Sequence, residues 1–253
     1  MTVDNMQVTA TAEVDEKLYS RQLYVMGHEA QRRMMASRVL LVGCSGLGAE
    51  VAKNCILAGI SSITLCDPLP ANSFDLGGNF YLKESDISSG KSRASLVRDS
   101  LAELNQYVKV TADTGVEKLD TESLLPLVDD MAVVVITIPL PKDVLIAIDE
   151  KCRACGACFI YSITCGVFAE IFCDFGEAFV VSDRDGEQPH GSQVENILCS
   201  NPAVVKVLED QGRHNLEDGD AVTISRVKGL DGELKDSSKQ YKIKTTGPDM
   251  FEL

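Results

Sequence analysis

Residues 39–59 read VLLVGCSGLGAEVAKNCILAG, an apolar run that ends in a glycine-rich turn and passes directly into a segment with helical spacing. An apolar run bounded by glycine is the mark of a buried strand, and a glycine turn that opens a helix leaves backbone amides free to meet an anion. Working outward, RVLLVG (38–43) is expected as a strand, GLGAEVAKNCILAG (46–59) as a helix closed by Gly59, and SSITLCD (61–67) as a second strand ending at Asp67. Together they form a βαβ unit. A helix at about 91–104, a strand VKVTAD (108–113), a short helix at 120–128, a strand MAVVVITI (131–138), a helix at 141–155 and a strand CFIYSITCG (158–166) continue the alternation. Strands alternating with helices predict a Rossmann-like, doubly wound and mainly parallel α/β sheet.

Upstream, LYSRQLYVMGHEAQRRMMA (18–36) carries apolar and basic residues at helical spacing and is expected as an exposed amphipathic helix. Downstream of about residue 170 the rhythm changes to short period-two runs between turn signals. A hairpin is expected around Phe175 and Gly176, at most one short helix around 192–199, and otherwise a small all-β domain. The expected division is a flexible lead at 1–14, the Rossmann-like domain at 15–176 and the β-rich domain at 177–253. The last run, KIKTTGPDMFEL, stops at Leu253 in strand-like sequence, as a piece cut near a domain edge would.

Composition narrows the function. With 253 residues, 45% apolar and 25% charged, the chain can bury a sizeable core. A net charge of -14 spread along the chain repels nucleic acid and anionic membranes. No apolar run approaches the roughly 20 residues a bilayer requires. Nine cysteines, an odd number, with no secretory leader suit reduced thiols in the cytoplasm or nucleus.

A dinucleotide turn wants glycine at three places, for the bend, for close approach to phosphate and for helix–strand packing. Here Ser45 holds the middle place, while Gly43, Gly46 and Gly48 remain. Asp67 stands where an acid could bond a ribose hydroxyl. On these residues alone the turn is either a working cofactor site or a tight strand-to-helix bend.

The flanking residues are more specific. The segment 18–67, with SRQLYVMG at 20–27, FDLGGNFYLKESDI (74–87), SLAELNQYVKVTADTG (100–115) and IFCDFGEAFVVSDRDGEQP (171–189), resembles the N-terminal half of the ubiquitin-activating enzymes. That resemblance runs from about residue 15 to 253. It implies an inactive adenylation half carrying the first half of an inserted catalytic-cysteine region. The parent enzyme would use ATP and Mg to adenylate the ubiquitin C-terminus and then form a thioester on an enzyme cysteine that is not in this chain. The implied partners are ubiquitin, the active adenylation half and, through the parent, ubiquitin-conjugating enzymes.

The resemblance also sets an expectation of inactivity. Active members hold the triphosphate with a stretch of the form Asn-Leu-Asn-Arg-Gln-Phe, and the matching segment is Asp75-Leu76-Gly77-Gly78-Asn79-Phe80. Gly78 replaces the arginine and Asp75 brings a negative charge. An acid that would help hold magnesium is replaced by Thr137-Ile138-Pro139, and Lys91 survives alone. The glycine turn is therefore expected to be vestigial, with no nucleotide bound tightly by this chain and no catalytic residue in it. Arg21, in the SRQ motif, is implied to reach across to the ATP phosphates of the other half. Otherwise it is a solvated or interface arginine, and the chain is a pure interaction scaffold.

Cys152, Cys155 and Cys158 have the spacing of a metal tripod but lack a close fourth ligand. They are expected as small buried hydrophobes around a helix end capped by Gly156, with no metal. His28, His190 and His214 are scattered and expected at surface or capping positions. An NAD- or FAD-linked oxidoreductase remains the rival reading, suggested by the glycine turn and Asp67 and opposed by Ser45.

Overall fold

The computed structural model describes residues 15–181, 191–198, 200–208, 214–226 and 239–253. The chain divides into two compact units, Met1–Gly186 and Glu187–Leu253. The DGEQP segment, His190 and the N-terminal lead lie outside the described residues.

The first unit is built on strands β1 (Arg38–Val42), β2 (Ser62–Cys66), β3 (Lys109–Ala112), β4 (Val133–Ile136), β5 (Cys158–Cys165) and β6 (Phe168–Asp174). They form one sheet in the order β3-β2-β1-β4-β5-β6. All pairs are parallel except β5 with β6. The continuous apolar run of β1 follows from burial on both faces. Val39 and Leu41 enter one core, against α2 (Gly46–Ala58) and α4 (Arg93–Ala102). Leu40 and Val42 enter the other, against α5 (Thr121–Val128) and α6 (Lys142–Cys155). Each of these side chains stabilises the sheet by about 1.5–3 kcal/mol through burial alone.

The helix ends follow from local chemistry. Ser92 and Asp120 accept backbone N–H bonds at the starts of α4 and α5. Gly59 (φ 84°) and Gly156 (φ 76°) close α2 and α6 in the left-handed region. The leading helix α1 (Ser20–Ala36) buries only Gln31 and is interrupted at Gly27, whose φ of 77° and ψ of 171° are not helical. A short helix α3 (Glu84–Ile87) and a 3-10 turn at Asp75–Gly77 were not legible from periodicity.

One expectation is corrected here. The hairpin does not turn at Phe175 and Gly176: it turns between Cys165 and Phe168, with Gly166 at φ 62°, and β6 completes the first sheet as its antiparallel edge. Phe168 to Cys173 are exposed, so their apolar pattern carried no burial signal for its placement. The segment 192–199, where at most one short helix is expected in an all-β domain, holds a strand, β7 (Val194–Leu198), paired antiparallel with β8 (Val204–Val207). VENIL has no strict alternation, and pairing with the partner strand decides the matter.

In the second unit β7 and β8 join β11 (Lys244–Thr245) and β12 (Met250–Glu252) in the order β11-β12-β8-β7, while β9 (Ala221–Thr223) pairs with β10 (Gln240–Lys242). Val205, Val207, Ile224, Ile243 and Phe251 form its core. Among the described residues no helix is long and apolar enough to cross a membrane.

Candidate functional site

In an open parallel sheet the crevice forms where chain order reverses, beyond the carboxyl ends of the strands. Here β1 lies between β2 and β4, so the loops after Val42 and Ile136 face that crevice. Gly43 follows β1 at φ 100°, and a Cβ there would lie 2.6 Å from Ile138 and 2.8 Å from the Thr137 hydroxyl. Thr137 Oγ1 donates to the Gly43 carbonyl at 2.9 Å. At Gly48 a Cβ would fall 2.0 Å from the Gly43 carbonyl oxygen. These two glycines are required by the bend itself.

Gly46 has a different neighbour. A Cβ at this first residue of α2 would lie 3.0 Å from the backbone Cα, C and O of Gly78. The DLGGNF segment thus packs its own backbone against the helix start. It is pinned there by Asn79, fully buried, whose Nδ2 donates to the Cys44 carbonyl at 2.9 Å. Over the start of α2 a hollow of about 440 Å³ remains, bordered by Ser45, Gly46, Leu47, Glu50, Phe74, Asp75, Gly78 and Thr164. No basic side chain lines it, and two carboxylates do.

Asp67 is fully buried and both of its oxygens are taken. Oδ2 accepts from the Cys44 amide at 2.7 Å and from Arg93 Nε at 2.8 Å, while Oδ1 accepts from the Leu69 amide at 3.1 Å and from Arg93 Nη2 at 3.3 Å. Arg93 Nη1 also donates to Asp75 Oδ1 at 3.1 Å. Burial opposes the guanidinium charge, but hydrogen bonds and charge from Asp67 and then Asp75 outweigh it and raise the Arg93 pKa. The same burial, with Asp67 adding to it, holds the Cys44 thiol well above its ordinary range.

The structure thus gathers Gly43, Gly46, Gly48 and Asp67 around one turn, and adds Arg93 and Asn79, which sequence reading had not singled out. The available signal was an aspartate directly after a buried strand, which needs a cation, together with a basic residue opening a helix further on. Asp75 is 7% exposed and ion-paired, so its charge is held internally and does not stand free in a loop. Asp67 has no oxygen left for a ribose, which removes the main support for a dinucleotide oxidoreductase. These residues do not fit a nucleoside triphosphate: no basic side chain lines the hollow, and its two acids are already paired, Asp75 with Arg93 and Glu50 with Lys53. Lys91 is exposed at the surface.

Arg21 lies apart from this turn. It is exposed, in the first turn of α1, at the border of an open cavity of about 740 Å³ that Tyr19, Gln22, Leu57 and Tyr107 also line. The three-cysteine run is split: Cys152 is buried, Cys158 half-buried and Cys155 exposed, its thiol donating to Asp129 Oδ1 at 3.7 Å. The expectation that all three are buried is therefore corrected for Cys155, which faces out on the last turn of α6. Among the described residues no group of three or more His, Cys, Asp or Glu side chains could hold a metal ion. His28 is exposed, whereas His214 is 7% exposed in the second core, bonded to the Gly247 carbonyl at 2.8 Å and the Leu216 amide at 3.0 Å.

Comparison with known proteins agrees with this fold. The solved structure of E. coli MccB with MccA-N7isoASN matches 60% of this chain and 45% of its own at a TM-score of 0.51 and 20% identity, a likeness of fold. Ubiquitin-like modifier-activating enzyme 1 of Oryctolagus cuniculus and that of Homo sapiens are each 44% identical over 246 residues, 96% of this chain. The chain spans 22% of the length of either relative. Residues 200–253 match the ubiquitin-activating enzyme E1 FCCH domain. Residues 19–171, more than half of the sequence and the whole extent of the sheet from α1 into β6, match the ThiF family, and the chain belongs to that family.

Proposed function

We propose that this chain is the non-catalytic adenylation half of a ubiquitin-activating enzyme, which supports an active half and ubiquitin binding and lends Arg21 to the triphosphate bound there. The parent reaction is ATP-dependent adenylation of the ubiquitin C-terminus, followed by transfer to an enzyme cysteine outside this chain. ATP and magnesium belong to the active half, and ubiquitin-conjugating enzymes take the product. The observation that carries the reading is the hollow over the start of α2, bordered by Glu50 and Asp75 with no basic side chain. A helix start favours an anion, but a triphosphate also needs cationic donors, and here the nearby Arg93 and Lys53 are already taken by Asp75 and Glu50.

In this chain the residues bind and orient; none moves a proton. Arg21 is exposed and its side chain has no hydrogen bond or ion pair among the described residues, so its planar donor fork is free for phosphate oxygens. Around it α1 exposes Tyr24, Val25 and Met26, at 92%, 74% and 42%, an apolar surface that suits a docked half.

The test is ubiquitin-dependent exchange of pyrophosphate into ATP. The isolated chain should show none, and the enzyme that also contains an active half should show it. Arg21→Ala in that enzyme should slow adenylate formation by about tenfold to a thousandfold, the scale of one lost preorganised donor. Exchange by the isolated chain overturns the non-catalytic assignment, and a wild-type rate in Arg21→Ala reduces the chain to a scaffold.

A further inference from the structure

Arg21 is useful to a second active site only if the short helical stretch that carries it is held still. The obvious support fails. α1 is fixed to the end of α2 by Gln31, whose Nε2 donates to the Ala58 carbonyl at 3.4 Å, but the break at Gly27 separates that anchor from residues 20–26. A non-helical residue interrupts the backbone ladder, so rigidity at Gln31 is not passed to Arg21.

The stretch 20–26 has its own mount, and it centres on Tyr19. This residue flanks α1 directly, two positions before Arg21, and is 4% exposed. Its ring lies against Gly59, so closely that a Cβ there would fall 2.6 Å from the hydroxyl oxygen and 2.7 Å from the ring. The hydroxyl accepts from Asn105 Nδ2 at 3.0 Å, and the same amide donates to the Ile56 carbonyl at 3.0 Å. Asn105 Oδ1 in turn accepts from the Tyr107 amide at 3.0 Å, so the amide cannot rotate without losing several bonds. The Tyr19 carbonyl accepts the Leu23 amide at 2.8 Å, which joins the mount to the first turn of the helix. A second tie, Tyr107 hydroxyl to Asp15 Oδ2 at 3.3 Å, is solvent-exposed and weaker.

We infer that Tyr19, seated on Gly59 and locked by Asn105, is a positioning residue that fixes the reach of Arg21 toward the anionic substrate of the active half. The inference rests on the proposed role of Arg21. The bonded hydroxyl restricts the ring to one setting, while the helix it carries is half-buried at Gln22 and Leu23 and exposed at Arg21 and from Tyr24 to the break. The glycine at 59 serves two needs at once: the left-handed end of α2 and the space for this ring.

The experiment is a double-mutant cycle in the complete enzyme, reading single-turnover adenylate formation over a range of ATP concentrations, with melting temperature alongside. Tyr19→Phe keeps the ring and removes the bond. It should slow adenylate formation about threefold to tenfold and lower the melting temperature by a few degrees, because one Asn105 N–H loses its acceptor. In the Arg21→Ala background the same change should have no further effect, because there is nothing left to position. Gly59→Ala drives the ring aside and also strains the left-handed end of α2, so it should lower the melting temperature while coupling to Arg21 in the same way. If Arg21→Ala alone leaves the rate intact, the reading of Arg21 and this inference fall together. If Arg21→Ala is slow while Tyr19→Phe is either silent or additive with it, the positioning role is overturned and the reading of Arg21 stands.

Discussion

Arg93 Nε lies 2.8 Å from Asp67 Oδ2, and the other arm of the same guanidinium reaches Asp75. The three side chains are between 0% and 8% exposed, so the two carboxylates have one shared cation and little water. Removing the arginine leaves both charges buried and unpaired. Arg93→Met should therefore cost about 3–5 kcal/mol in urea unfolding, the range for one broken partner of a buried ion pair. Arg93→Lys should recover only part of it, because an ammonium cannot serve Nε, Nη1 and Nη2 positions together. Equal stability of the wild type and Arg93→Met would show that the cluster carries no weight in the fold.

The glycines of the turn are not equivalent. Gly48→Ala places a Cβ 2.0 Å from a backbone oxygen, whereas at Gly77 nothing lies within 4 Å. Gly48→Ala should destabilise the first unit by about 2 kcal/mol or more, and Gly77→Ala should stay within about 0.5 kcal/mol of the wild type. Gly46→Ala should fall between them, since the Gly78 backbone would have to yield by a few tenths of an ångström. Denaturation midpoints of the three variants give the order directly.

A carboxyl pair at the end of β6 makes stability depend on pH. Asp174 accepts from the Gly176 amide at 2.9 Å and from Arg153 Nε at 2.6 Å, and these bonds hold its pKa below the ordinary range. Asp149 on α6 is pushed up, by burial first and then by the Asp174 charge, with Arg153 opposing and Glu150 adding to it. A carboxyl raised in the folded state loses stability as pH climbs from its ordinary value of 3.8 through its raised one. Asp174, being lowered, contributes stability above the same ordinary value and loses it as pH falls. Asp149→Asn keeps a donor toward Asp174 and removes the ionisation, so its melting temperature should gain on the wild type as pH rises through that window. Parallel melting curves across that window would show that the pair does not couple folding to protons.

Thiol reactivity should divide by position. Burial, with nearby carboxylates adding to it, pushes Cys66 and Cys152 up to about 12 and Cys44 well above its ordinary range. Cys155, Cys165 and Cys173 are exposed. Maleimide at neutral pH should label those three in the native chain and reach Cys44, Cys66 and Cys152 only after denaturation, as read by peptide mass mapping. Fast native labelling of Cys152 would mean that α6 opens readily from the sheet.

What the sequence determined was whatever depends on local pattern. The VLLV and MAVVVITI runs had to be strands covered on both faces, and Gly59 and Gly156 had to end helices, because period and left-handed geometry are properties of neighbouring residues. Asp67 was visible as an acid at the end of a strand, and Gly78 as a missing cation. Its partner was not: Arg93 is 26 residues from Asp67 and 18 from Asp75, and no periodicity links them. The closing of Gly78 over Gly46, the seat of Tyr19 on Gly59 and the addition of the exposed β6 to the sheet edge are likewise contacts between distant segments. Such contacts depend on where the folded sheet places two backbones, and a side chain that satisfies a buried charge can come from any element that reaches it.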